Sequence, residues 1–483
     1  MNYLSVDIGT TACKYQLFSE KGEILAYRTE EYPFLFREGA RYVNLAAIEA
    51  CLRRMLGEAA REHRIDSVAI SSIGESFVLL DGEDNVLFHP MLYTDERGAE
   101  EAEALKKCFS EEEIFSLTGT VPHSMYSVSK LLWIKSNAPA LFERAEKVML
   151  IADYFGYLLT GERAIDHSLA ARTGVFDIRK KEFSGELLSS LGIPRAWFSS
   201  PMPAGSVVGR IRPAFGVDAV LVLGSHDQIA AALGAGALCE GDAVDGMGTV
   251  ECITALFSAV DGGIRMGRQG YPIVPYAVEG LFCTYILNYS CGSAVRLVRE
   301  NLMHGYKGGE ASFFAYMEKE MADAPSGLLC LPYFGGASTP HQDLSARGAI
   351  LGLGTQTRDA EVYRAVLEGT AMEMRYNMDT VKEYGIEVRS AVATGGGANS
   401  AAWLRIKADI EGIPYKTLRS SEGGLCGLAM LQAVAMGGAK DLFSAKETFV
   451  RYRDSFLPRG GAEYVPYYEK YKKLYKTIKE IEK

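Results

Sequence analysis

The sequence predicts an α/β protein of two domains, on three observations. Its 483 residues are roughly three times the ~100–150 of a common domain. Alternating or apolar runs that read as strands recur between stretches with apolar residues at helical spacing. At about Ala243 a strand, a glycine turn and a returning strand begin the pattern again, echoing the opening of the chain. We therefore divide the chain into residues 1–242 and 243–483.

In chain order, the opening reads as a three-stranded antiparallel meander of Tyr3–Asp7, Cys13–Phe18 and Ile24–Thr29. Leu45–Arg61 spaces Ile48, Cys51, Leu52, Met55 and Ala59 as one face of an amphipathic helix. Ser67–Ile73 reads as a buried strand, and Phe77–Leu80 as a hairpin arm before the Asp81–Asp84 turn. Residues 96–160 read as mostly helical, and Ala219–Leu223 as a strand ending in GSHDQ and an Ala/Gly-rich helix. Past Ala243 come helices, the strand Arg389–Ala393, a glycine turn and a helix with Trp403. A Tyr/Lys-rich helix, Tyr464–Lys483, closes the chain; its charges read as a solvated face, and it has the option of packing back on the first domain.

Composition narrows the class. At 48% hydrophobic and 23% charged residues the chain is globular, not disordered or collagen-like. Fifty glycines are an excess, which we assign to tight turns near a ligand. The net charge of −10, with no basic stripe, argues against nucleic acid as a partner. Nine cysteines without a C-x-x-C pair read as buried thiols in a reducing compartment. No secretory leader opens the sequence, and no apolar run approaches the ~18–20 residues that cross a bilayer. A cytoplasmic protein without membrane contact is the expectation.

Four segments carry chemistry. In VDIGTTACK, a strand delivers Asp7, Gly9 allows a tight turn, Thr10 and Thr11 present hydroxyls, and Lys14 reaches over from the returning strand. Such a turn suits an anion, and the carboxylate beside it a hydrated Mg²⁺, although an ordinary hairpin would read the same. No G-x-x-x-x-G-K-[ST] occurs, which excludes a P-loop. In GSHDQIAAALGAG, Asp227 stands where a buried strand gives way to a helix. It could take a proton from a substrate hydroxyl or merely cap the helix, and His226 reads as structural. In GMGTVECIT, Gly248 and Thr249 form a second candidate phosphate turn. In ATGGGANSAAW, Gly395, Gly396, Gly397 and Asn399 let a base or ribose lie on the backbone. GGGANS departs from the dinucleotide pattern G-x-G-x-x-G, so a dehydrogenase is a minor reading. Glu422–Ala429 reads as a closely packed helix start that could line the same base pocket.

In this order and spacing the four segments resemble the FGGY carbohydrate kinases, the family of glycerol, xylulose, ribulose and gluconate kinases. The resemblance runs nearly end to end, through Ser129–Glu162, Ile165–Ile178 and Tyr333–Arg375. It implies two ribonuclease-H-like domains of the actin, hexokinase and heat-shock ATPase superfamily, with the active site in a cleft between them. It implies ATP and Mg²⁺, with Asp227 as catalytic base and Asp7 holding the metal. Thr10, Thr11, Lys14, Gly248 and Thr249 would meet phosphates, and Gly395, Gly396, Gly397 and Asn399 adenosine. The sugar pocket would include Gly74, Glu75, Tyr93, Asp95 and Gln228. Glu75 matches the acid that glycerol kinases use, Gly74 replaces the neighbouring Arg, and the Met-His pair of xylulose kinases is absent. Glu251 has no family role. The expected activity is xylulose-kinase-like phosphorylation of a ketose, polyol or sugar acid, with a homodimer as an analogy from relatives. The alternative is a catalytically altered sugar sensor or assembly protein, which would be expected to lack Asp7 or Asp227.

Overall fold

The opening meander forms as its alternation predicts. In the computed structural model, which describes residues 1–37, 39–260, 262–303, 306, 308–420 and 422–482, β1 (Asn2–Ile8), β2 (Ala12–Ser19) and β3 (Ile24–Glu31) pair antiparallel in chain order. α1 (Leu45–Glu62) follows, its first turn capped by the Asn44 side chain, which accepts from the Ala47 amide at 3.1 Å. Its buried face includes the five residues whose spacing predicted it. β4 (Ser67–Ser72) is buried throughout and lies parallel to β1, which is why it reads as an unbroken run. β5 (Val207–Arg210) and β6 (Val220–Val222) complete a six-stranded sheet in the order β5-β6-β4-β1-β2-β3. β6 is parallel to β4 and is followed by α2 (Asp227–Gly234).

The chain forms two compact units. The first comprises Met1–Leu238, Ile273–Phe282 and Glu422–Val450; the second comprises Cys239–Pro272, Cys283–Ser421 and Arg451–Lys483. Residues 273–282 and 422–450, which sequence order places in the second half, thus cluster with the first unit. The helix Gly423–Ala435 shows why, because it is apolar nearly all round and must be covered on every side. Glycines bring it against α2: a Cβ on Gly427 would overlap the Ala230 carbonyl, and one on Gly234 the Gly423 carbonyl. Its Gln432 amide is satisfied in the core by Ser5 of β1 (3.2 Å) and Ser67 of β4 (2.8 Å).

In the second unit, β7 (Asp242–Met247), β8 (Glu251–Phe257), β9 (Phe282–Asn288), β10 (Ser390–Thr394), β11 (Tyr415–Leu418) and β12 (Tyr452–Phe456) run in the order β9-β8-β7-β10-β11-β12. Two helices frame the glycine turn, α3 (Asp359–Lys382) before β10 and α4 (Ala401–Glu411) after it. The two sheets share one plan. A hairpin opens each, a parallel strand joins the first strand, a second parallel strand follows, and an antiparallel strand ends the edge. In register, Asp7 sits beside Ser71 where Gly246 sits beside Thr394.

The closing helix, Val465–Ile481, belongs to the second unit. It was open to packing on the first domain, but its tyrosines anchor it on α3, Tyr471 donating to Glu373 and Tyr468 to Asp379, each at 2.6 Å. Lys483, the last residue read into that helix, lies outside the described residues. Among the described residues no helix is long and apolar enough to cross a membrane.

Candidate active site

In the first unit, β6 ends in a loop that delivers Asp227 as the opening residue of α2. It does not cap that helix through its side chain; instead its Oδ1 accepts from the next amide, Gln228, at 2.6 Å. His226 Nε2 lies 3.2 Å from the same oxygen. Burial, and then the negative charge of Asp7, push the Asp227 carboxyl up to about 8. Even so, 34% of its side chain is open to solvent. The His226 ring is held neutral, well below its ordinary range, by burial and by the charge of Arg172. A neutral imidazole that carries its proton on Nε2 donates to the carboxylate and fixes its rotation.

Asp7 is the penultimate residue of β1, with Oδ1 accepting from Ser71 Oγ of β4 at 2.7 Å. Burial raises its proton affinity, against the lowering effects of that hydrogen bond and of Lys14. The turn after it, with Thr10 and Thr11, is braced by Tyr32, whose hydroxyl donates to the Gly9 carbonyl and whose amide donates to the Thr11 carbonyl at 2.9 Å. Lys14 does not stand alone, because Glu422 Oε2 is 3.2 Å from its Nζ. Asp7 and Asp227 are hard oxygen donors in one another's field, a set that suits Mg²⁺. Among the described residues no group of three or more His, Cys, Asp or Glu side chains is placed to hold a metal ion.

The predicted sugar residues separate into two groups. Glu75, buried and held at φ +56°, pairs with Arg172 of the segment after Asp166. That backbone region is costly for a residue with a Cβ, so the surroundings must impose it. Ser127 Oγ donates to its carbonyl at 2.6 Å. A Cβ on Gly74 would come within 3.0 Å of the Arg172 side chain and 3.1 Å of His226, so glycine makes room for both. Arg172 therefore brings a guanidinium into the space beside Gly74 and Glu75. Asp95 is engaged elsewhere, in a two-point pair with Arg97 at 2.9 and 2.6 Å. Tyr93 and Gln228 are exposed. Sequence reading missed Arg172, which meets Glu75 only in the fold, and the side-chain contact between the chain neighbours His226 and Asp227, whose rotamers a sequence does not show.

In the second unit a cavity of about 500 Å³ is lined by Gly248, Thr249, Gly396, Gly397 and Asn399, which the sequence singled out. The size is that of a cofactor-sized pocket. The helix Gly292–Leu297 reinforces the turn, as the Ser293 amide and hydroxyl donate to the Thr249 carbonyl at 3.1 and 2.9 Å. Gly395, at φ +81°, could not carry a Cβ, which would meet the Met247 carbonyl at 2.8 Å. A Cβ on Gly396 would meet nothing. Newly found in the lining are Arg296, Glu318, Tyr363 and Trp403. Glu422–Ala429 is not part of it; that segment covers α2 in the first unit.

Beneath the Gly248–Thr249 turn, Lys407 of α4 meets Asp245 of β7 (3.1 Å), Glu251 of β8 (2.6 Å) and Glu411 of α4 (2.8 Å), every side chain fully buried. Tyr415 donates to Asp245 at 3.2 Å. Glu251, for which the resemblance implied no role, is thus a core group. Burial holds it up at about 8, against the attraction of Lys407.

Comparison with known proteins decides the family. Residues 2–234 match the N-terminal domain model of the FGGY family of carbohydrate kinases, and residues 274–436 its C-terminal domain model. The chain belongs to the FGGY family of carbohydrate kinases. This FGGY chain is 27% identical to the xylulose kinase of Escherichia coli strain K12, with 99% of both chains covered. It is 27% identical to the glycerol kinase of Agathobacter rectalis, covering 90% of this chain and 89% of that one. The xylulose kinase structure from Rhodospirillum rubrum superposes with a TM-score of 0.90 at 25% identity, over 100% of this chain and 99% of that one. The FGGY fold, two ribonuclease-H-like domains, accounts for the repeated strand plan, and the enzyme is a sugar phosphotransferase.

Proposed function

We propose that the enzyme transfers the γ-phosphate of ATP to a hydroxyl of a neutral ketose or polyol, in the manner of the xylulose kinases it resembles over its whole length. The observation that carries this is Asp227: a reachable carboxylate with raised proton affinity, oriented by His226 and set beside Asp7. Such a group takes the proton of an attacking hydroxyl. Asp7 would hold Mg²⁺ through water, and the ion, when bound, supplies positive charge to the transferring phosphate. Thr10, Thr11 and Lys14 are the phosphate-facing groups of the first unit. The second-unit cavity is assigned to the nucleotide, with Gly248 and Thr249 toward its phosphates and Gly395, Gly396, Gly397 and Asn399 along its nucleoside. Because Arg172 is compensated by Glu75 and the neighbouring Asp227 and Asp7 are acidic, the acceptor pocket offers no uncompensated cation to a carboxylate, which favours a neutral sugar over a sugar acid. Asp95, tied to Arg97, shapes that pocket from outside, while Tyr93 and Gln228 are free to touch the sugar. Retention of both Asp7 and Asp227 speaks against the sensor reading.

The test is ADP release with Mg-ATP across ketopentoses, ketohexoses, polyols and aldonates. Turnover with one neutral sugar supports the proposal, and turnover confined to aldonates overturns the acceptor assignment. A second expectation concerns the glycine turn. Gly396→Ala, whose Cβ enters open space, raises KM for ATP without lowering Tm, whereas Gly395→Ala lowers Tm. Thermal scans beside ATP titrations check both; equal melting losses in the two variants would contradict this division.

A further inference from the structure

The second-unit cavity contains one carboxylate among its described lining residues, Glu318. It comes from the helix Glu310–Glu320, which also sends Phe314 to the lining. Its position is set, because Ser400 Oγ donates to Glu318 Oε1 at 2.5 Å. Ser400 is itself locked as the cap of α4, accepting from the Trp403 amide at 3.1 Å. The bond to Ser400 uses one carboxylate oxygen, and Oε2 has no partner among the described residues. Glu318 is also close to Tyr363, whose hydroxyl its charge helps hold protonated, after burial.

A nucleotide has three chemically different parts, and the cavity has three matching regions. The Gly248–Thr249 turn offers backbone amides to phosphates. Phe314, Tyr363 and Trp403 offer flat apolar surface to a base. The remaining edge, Glu318 beside Ser400 and Asn399, is polar, and its carboxylate can only accept hydrogen bonds. The hydroxyl-bearing sugar of the nucleotide is the part that donates to such an edge.

We propose that Glu318, positioned by Ser400, is the residue that recognises the ribose of the phosphoryl donor by accepting a hydrogen bond from one of its hydroxyls. This rests on reading the cavity as the nucleotide half of the enzyme. A hydrogen bond to a charged acceptor makes the enzyme prefer ATP over the deoxy analogue that lacks the bonded hydroxyl by about 10–100-fold in kcat/KM.

The experiment compares ATP, 2′-deoxy-ATP, 3′-deoxy-ATP and GTP as donors for the wild type, Glu318→Ala and Glu318→Gln, with Tm measured alongside. Nucleotide binding to the wild type is followed by Trp403 fluorescence, with Trp403→Phe as the optical control. The expected result is that Glu318→Ala loses activity with ATP but not with one deoxy analogue, so their ratio falls to near one through KM. Glu318→Gln, whose amide oxygen still accepts, falls between. A merely structural role would weaken ATP and both analogues alike, and that result overturns the proposal. So does a change confined to the ATP/GTP ratio, which would place the carboxylate on the base. A wild type that phosphorylates sugar with no change in Trp403 fluorescence would sink the cavity assignment itself, and the inference with it.

Discussion

Asp227→Asn lowers kcat by about 10²–10⁴-fold, the contribution typical of a positioned proton acceptor. Asparagine keeps the shape and the Gln228 contact but cannot take the substrate proton. Nucleotide binding, read from Trp403, stays at the wild-type level, because that cavity belongs to the other unit. The wild-type pH profile follows from the same group. As the proposed base, Asp227 would work only when deprotonated, and burial with the Asp7 charge holds its carboxyl up at about 8 in the free enzyme. Accordingly kcat/KM falls with unit slope as pH drops below that value. The stability consequence runs the other way. A carboxyl whose folded-state affinity is raised binds more protons folded than unfolded, so between its ordinary value and about 8 stability declines as pH rises. Removing the charge relieves this, and Asp227→Asn should melt higher than the wild type at pH 8. A variant that keeps full turnover would remove Asp227 from the chemistry.

The second large effect is on folding. Lys407→Met leaves Asp245, Glu251 and Glu411 fully buried around a position that no longer holds an ammonium. Breaking a buried pair from one side costs about 3–5 kcal/mol, because the remaining charge is uncompensated. The loss is read as a lower urea midpoint for the second unit. It should shrink in acid, where Glu251 and Glu411, raised to about 8 and about 7 chiefly by burial, have taken up protons and no longer repel. A deficit that is the same at pH 5 and pH 8 would show that lost packing, not charge, is responsible.

What was legible in the sequence was local. The glycine turns, the meander and the strand-to-helix position of Asp227 each depend on residues a few places apart. Most of the missing parts depend on partners far along the chain. Arg172 meets Glu75 across 97 positions, Lys407 meets Glu251 across 156, and Lys14 meets Glu422 across 408. One of these pairs did leave a trace, on both of its residues. Lys407 falls on the same helical stripe as Trp403, Leu404 and Ile410, where an apolar residue is expected. Glu251 alternates with Ile253 and Ala255 on the buried face of β8. A charge at an inward position of a periodic element is a sign of a buried partner. The transfer of Gly423–Ala435 to the first unit left no trace, since an all-apolar helix fits any core.

The two sheets share one strand plan yet differ at equivalent positions. The first has a carboxylate at Asp7, and the second has Gly246 in its place. On the proposed assignment, substitutions at Gly74, Glu75 or Arg172 would alter the acceptor pocket while leaving the second unit's cavity intact. On that assignment the acceptor could change while the cavity for the phosphate donor stayed as it is.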